Sequence, residues 1–356
     1  MNRSDRALGP IFERLADHYI FPGAYSKAKG SVTNYKQRIK NRVIDYINHE
    51  TKPYARKVPF LRINLSDISE YASESVLQFG KNLKGYLNGR RILRVVVHRG
   101  GSYMLPLTEE QARRRGNLGS KLGGFEISLE VGTVQRMMTS FAHEIGHTYF
   151  YDLVDDPPKL LVSESLLKER DYHRQFEGLA YDFGREVLLP REAFREYVRL
   201  NHDRPSLRSF QAMCEELKVS KEILSQRLLR DLKLWNACIF WGTVANVSGS
   251  LRDARETPRI VVGTRDKRKA DFRTVSLSRE LASDKSELRR TILETHEDGT
   301  HAGLRIVVAR MDFLLDIRNK HLPGGDRYFT ALLCPLQKAQ RAEGERGEQL
   351  LINVPR

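Results

Sequence analysis

The segment Phe141-Ala142-His143-Glu144-Ile145-Gly146-His147 places two histidines one helical turn apart, with a glutamate directly after the first. Side chains four apart on a helix project from one face, so the His143 and His147 imidazoles can reach a single metal ion. Zinc accepts such nitrogens and, in catalytic sites, keeps one position open for water. Glu144 points to the neighbouring edge of that face, where it can take a proton from a water acidified by the metal. The pattern predicts a hydrolytic metal centre with Glu144 as the base. Two histidines on an ordinary surface helix would show the same spacing, but the apolar stripe Met137, Phe141, Ile145 and Tyr149 gives this helix a separate core-facing side. Gly146 lowers helix propensity by about 1 kcal/mol relative to Ala, which points to a close packing partner.

A catalytic zinc needs a third protein ligand. The candidate is Glu177, in Gln175-Phe176-Glu177-Gly178-Leu179-Ala180-Tyr181-Asp182-Phe183. A helix here buries Phe176, Ala180, Phe183 and Val187 and leaves Glu177 on another stripe, free to face the first helix. By spacing alone it could equally be a solvated glutamate. His173 precedes it by one turn and is the rival ligand, or a group that stabilises the transition state.

The elements that must position these residues follow from periodicity. Helices are expected over 32–49, 68–87, 134–151 and 172–188, the last stopped by Pro190. Residues 92–98 (ILRVVVH) and 125–131 (FEISLEV) read as strands, the second offering an edge for an extended substrate. Between them, 99–123 is polar and contains Arg and Gly. Three helical segments follow at 191–200, 206–217 and 220–233, and after Trp235 the texture becomes strand-rich with one charged helix near 278–294. The strands expected there include 272–278 and 350–354. The fold class is α+β, with domains over 1–195, 196–236 and 237–356.

The combination FAHEIGH, then EGLAYDFGREVLLP, then a helix-rich segment resembles the ImmA/IrrE family of metallopeptidases. Members follow HEIGH or HELGH with a helix of the type E-x-x-A-N-x-F-A that runs on to a hydrophobic pair and a proline. The chain matches at Glu177, Ala180, Phe183, Leu188, Leu189 and Pro190, and departs at Tyr181, where Asn is usual, and Gly184, where Ala is usual. The resemblance covers roughly residues 90–235 and carries Glu177 over as the third ligand. It implies a zincin-like domain, with the HExxH helix beside a small sheet, holding one zinc ion per chain. It further implies cleavage of a DNA-bound transcriptional repressor, giving derepression in a stress or mobile-element response, and a GAF-like C-terminal domain. A His, His, carboxylate set also suits other divalent ions.

Residues 206–233 outline a helix-turn-helix, with Lys218-Val219-Ser220 as the turn and Ser220 as the second helix's N-cap. Lys221, Gln226, Arg227 and Arg230 could contact nucleic acid, although a small helical packing unit has the same outline. Hence the alternative function is a DNA-binding transcriptional regulator with a structural metal site. Glu144 argues against it, since a structural site has no need of a base. The basic run 259–273 reads as a solvated loop, and HEDGTH (296–301) as a turn rather than a second metal site.

Composition bounds the rest. With 40% hydrophobic and 29% charged residues the chain is an ordinary folded protein. Cys214, Cys238 and Cys334 are too scattered for a disulfide framework or a cysteine zinc site, which suits a reducing cytosol. No signal-peptide core and no transmembrane run is apparent, so a cytoplasmic location is expected. The net charge of +15 favours encounter with nucleic acid or an acidic protein without identifying either.

Overall fold

The computed structural model describes residues 9–20, 32–55, 61–63, 74–116, 122–245, 259–262, 281, 283, 285–295, 299–308, 311–321 and 327–335. The fold is mixed α+β. It divides into two compact units: Met1–Asn201 with Met213–Arg227, and His202–Ala212 with Leu228–Arg356. No described helix is long and apolar enough to cross a membrane.

The first unit opens with helices α1 (Pro10–Tyr19) and α2 (Val32–Thr51). A four-stranded sheet follows, in the order β1-β2-β4-β3, from β1 (Glu74–Val76), β2 (Ile92–His98), β3 (Tyr103–Leu107) and β4 (Gly124–Glu130). Helix α3 (Lys81–Gly89) leads into β2, and α4 (Glu109–Arg114) follows β3. β2 and β4 pair in parallel, and β3 runs antiparallel to β4. β4 is buried over Gly124–Leu129, so its apolar residues face cover on both sides.

Two expectations are corrected here. The helix expected over 68–87 starts only at Lys81, while Glu74–Val76 instead gains ladder hydrogen bonds from β2; residues 68–73 lie outside the described ones. β4 is no edge: it lies between β2 and β3, and the polar stretch after His98 supplies the edge strand β3 and the helix α4. Pro106 suits an edge, since proline cannot donate to a ladder. A reciprocal capping box between Thr108 and Gln111 starts α4.

Helix α5 (Val134–His147) continues as a 3-10 turn over Thr148–Phe150. A short hairpin, β5 (Tyr151–Asp152) and β6 (Lys159–Leu160), leads through α6 (Glu164–Leu167) to α7 (Arg170–Leu188) and α8 (Arg191–Asn201). Next come α9 (Leu207–Leu217) and α10 (Lys221–Ser225), the latter prolonged by a π-helical turn over Gln226–Asp231. The turn between α9 and α10 has Lys218 at φ 54°, and the Ser220 side chain accepts from the Ile223 N–H as an N-cap. Arg227 and Gln226, candidate nucleic-acid contacts by sequence, are engaged inside the first unit. Arg227 is buried and pairs with the equally buried Glu186 at 2.7 and 2.8 Å, while Gln226 accepts from Arg185.

The second unit contains an antiparallel sheet in the order β8-β7-β11-β10-β9, from β7 (Cys238–Ala245), β8 (Arg259–Val262), β9 (Gly299–Val308), β10 (Met311–His321) and β11 (Arg327–Pro335). Alternation decides its core: Phe313, Leu315 and Ile317 on β10 and Phe329, Ala331 and Leu333 on β11 share one face with Leu288 and Ile292 of α11 (Glu287–Glu294). His301 lies in β9, in a sheet rather than a turn. The expected strands at 272–278 and 350–354, the basic run beyond Val262, and His296 lie outside the described residues.

Candidate metal centre

Helix α5 starts at Thr133, whose side chain accepts from the Arg136 N–H. Met137, Phe141 and Ile145 are fully buried, and the Phe141 ring stacks on Phe79 at 5.5 Å between centroids. Helix α7 buries Phe176, Ala180, Phe183 and Val187 at helical spacing. Those two apolar faces turn the remaining stripes, carrying His143 and His147 on one helix and Glu177 on the other, toward each other.

The three side chains converge. His143 Nε2 lies 3.0 Å from Glu177 Oε2, His147 Nε2 lies 3.5 Å from Glu177 Oε1, and the two Nε2 atoms are 3.1 Å apart. All three donor atoms fit within 4.8 Å of one another. Among the described residues no further His, Cys, Asp or Glu joins this group, and His173 is exposed and outside it.

Electrostatics suit a cation. Burial alone would raise the Glu177 carboxyl, but hydrogen bonds and charge from His143 and His147 outweigh it and hold the group well below the usual carboxylate range. Burial pushes the His147 imidazole down, although its hydrogen bond to Glu177 opposes the shift. Glu144 is only 6% exposed; burial, reinforced by Glu177 and opposed by His143, pushes its carboxyl up to about 7. Two imidazoles and an ionised carboxylate are a donor set that fits a divalent metal ion.

The group opens into a cavity of about 460 Å³. Ser102, Tyr103 and Met104, at the start of the edge strand β3, form one wall, with Thr139 and Ser140 of α5. Tyr151, Leu160, Leu167 and Phe176 form an apolar wall, and Tyr181 closes the side nearest His143. None of the β3 residues was expected; the capping signature Thr108-x-x-Gln111 marks only the helix that follows them. A larger cavity, about 1010 Å³ between α2 and α8, contains none of the converging residues.

A buried network lies behind the centre. Arg90 donates from Nε to Thr148 Oγ1 at 3.1 Å and from Nη2 to the Thr148 carbonyl at 2.6 Å, just after His147. Its guanidinium lies 4.0 Å from the centroid of the Tyr149 ring, and the Tyr149 hydroxyl donates to Glu50 at 2.7 Å.

No protein-family model and no curated protein matches the chain. Among solved structures, a Mycobacterium tuberculosis transcriptional regulator superposes with a TM-score of 0.37 at 11% identity, covering 83% of this chain and 88% of that one. Two folds this far apart do not inform one another's function.

Proposed function

We propose that this protein is a metal-dependent endopeptidase, with zinc held by His143, His147 and Glu177. The observation that carries this is the convergence of two imidazole nitrogens and a carboxylate, with the buried carboxyl of Glu144 lining the same cavity. A divalent ion in that set would polarise a peptide carbonyl and acidify a water in its open position. Glu144 takes the proton from the attacking water and passes it to the leaving amine, a role for which a pKa near the working pH is suited. The outer edge of β3 offers backbone groups to which an extended peptide can pair across the cavity mouth. The resemblance of the sequence to ImmA/IrrE peptidases makes a DNA-binding repressor the proposed substrate, with derepression as the outcome.

A DNA-binding regulator with a structural metal is less well supported. Among the described residues no fourth ligand completes the set, and Arg227 and Gln226 are held by Glu186 and Arg185. Metal content of the purified protein by elemental mass spectrometry tests the proposal, alongside His147→Ala, Glu177→Ala and Glu144→Gln. About one zinc per chain is expected, retained in Glu144→Gln and lost or weakened in the other two. No metal in the wild type after reconstitution would overturn it.

A further inference from the structure

Helix α7 brings more than Glu177 to the centre. Tyr181 follows it by one helical turn, on the same face, and its ring stacks on the His143 imidazole with centroids 3.8 Å apart and planes 26° from parallel. Metal-binding imidazoles ordinarily donate their second ring nitrogen to a carboxylate, carbonyl or water, which fixes the plane of the ring. Among the described residues no group hydrogen-bonds the buried His143 Nδ1. These residues therefore do not fix the ring plane of this ligand through Nδ1, and the phenol face is the group in place to restrain it. Tyr181 is 48% exposed, so fold stability gains little from its burial and the stack is its principal contact with the site.

We propose that Tyr181 is a positioning residue of the metal centre: its ring, stacked on the imidazole, holds the His143 plane in place of an Nδ1 hydrogen bond. The inference rests on the metal-centre assignment above. A metal-bound imidazole carries partial positive charge, and an aromatic face against it is favoured over the same face against a neutral ring. The restraint comes from the ring, not the hydroxyl, so phenylalanine should replace tyrosine and alanine should not.

The test is zinc affinity, measured by competition with a chromophoric chelator, for the wild type, Tyr181→Phe and Tyr181→Ala, with thermal unfolding of each chelator-stripped protein. Tyr181→Phe is expected within about twofold of the wild type, and Tyr181→Ala roughly tenfold weaker. The stripped proteins should unfold at the same temperature, which separates positioning from a structural role. Wild-type zinc binding with unchanged affinity in Tyr181→Ala overturns the inference and leaves the metal centre standing. Equal weakening in both variants overturns it in favour of the hydroxyl, and a matching loss of stripped-protein stability overturns it in favour of packing. A wild type that binds no zinc removes the centre and the inference together.

Discussion

Gly146 on α5 and Gly184 on α7 face each other across the closest approach of the two helices. A Cβ on Gly146 would lie 2.1 Å from the Ala180 carbonyl oxygen and 2.9 Å from the Gly184 nitrogen. One on Gly184 would lie 2.3 Å from the Ala142 carbonyl oxygen. Both helices thus carry a small residue, three others and a glycine, Ala142 to Gly146 and Ala180 to Gly184, and meet backbone to backbone. That approach brings the Glu177 carboxylate within 3.0 Å of His143.

Gly184→Ala is therefore expected to destabilise the protein although alanine favours helix. The helical gain is about 1 kcal/mol, whereas pushing two backbones apart costs roughly 1–3 kcal/mol or more. A lower unfolding temperature together with weaker zinc binding would be the signature; higher stability with unchanged affinity would show that the helices can separate freely.

Arg227 invites the opposite error, a charge read as a surface contact. Its guanidinium is 2% exposed, bonded to both Glu186 oxygens and to the Leu189 carbonyl, and Glu186 is 1% exposed. Removing one partner of such a pair strands the other and costs roughly 3–5 kcal/mol, while replacing both by apolar groups is often neutral. Arg227→Met should therefore lower the urea midpoint sharply, and Arg227→Met with Glu186→Leu should recover most of the loss. A single variant as stable as the wild type would return Arg227 to the surface.

How much of this could be read in the sequence depends on the range of the interaction. His143, Glu144 and His147 are one local motif, and the stripe Phe176, Ala180, Phe183 and Val187 leaves Glu177 off the core face, where spacing alone does not tell a ligand from a solvated glutamate. The Gly146 signal was legible for the same reason, as a local propensity cost that something must offset. β3 was not, because Tyr-Met-Leu-Pro-Leu does not alternate and its pairing partner β4 lies beyond α4. The helix misread over 68–87 failed because the ladder from β2 captures Glu74–Val76. Glu186 lies far from Arg227 in sequence, and nothing local to an arginine reveals a distant carboxylate.

Arg90, in the turn between α3 and β2, is bonded to the end of α5. Lysine keeps the charge beside Glu50, 3.6 Å away, but cannot span the Thr148 hydroxyl and carbonyl with a fork. Arg90→Lys should cost about 1–3 kcal/mol, since a buried acceptor loses its donor. Zinc should also leave faster, because the residue after His147 is no longer clamped. Calorimetry and a chelator-chase measurement check both, and an unchanged release rate would confine Arg90 to stability alone.

Glu144 gives stability a pH dependence whose sign can be worked out. Its folded carboxyl is raised from 4.5 to about 7, chiefly by burial. Below pH 4.5 both folded and unfolded chains hold the proton, so burial of this group has no ionic cost. As pH rises toward 7 the unfolded chain ionises first, and the fold loses stability progressively, up to a plateau on the order of 3 kcal/mol. Glutamine carries no such charge. In chelator-stripped protein, Glu144→Gln should gain on the wild type as pH rises between about 4.5 and 7, then hold a constant advantage above it. Urea unfolding of both proteins across pH 4 to 9 measures the difference directly, and titrating groups not coupled to Glu144 cancel between them. A difference flat in pH would mean that Glu144 ionises as readily in the fold as in the unfolded chain. In the proposed reaction Glu144 would then act already as the carboxylate, with no raised pKa to match it to neutral pH.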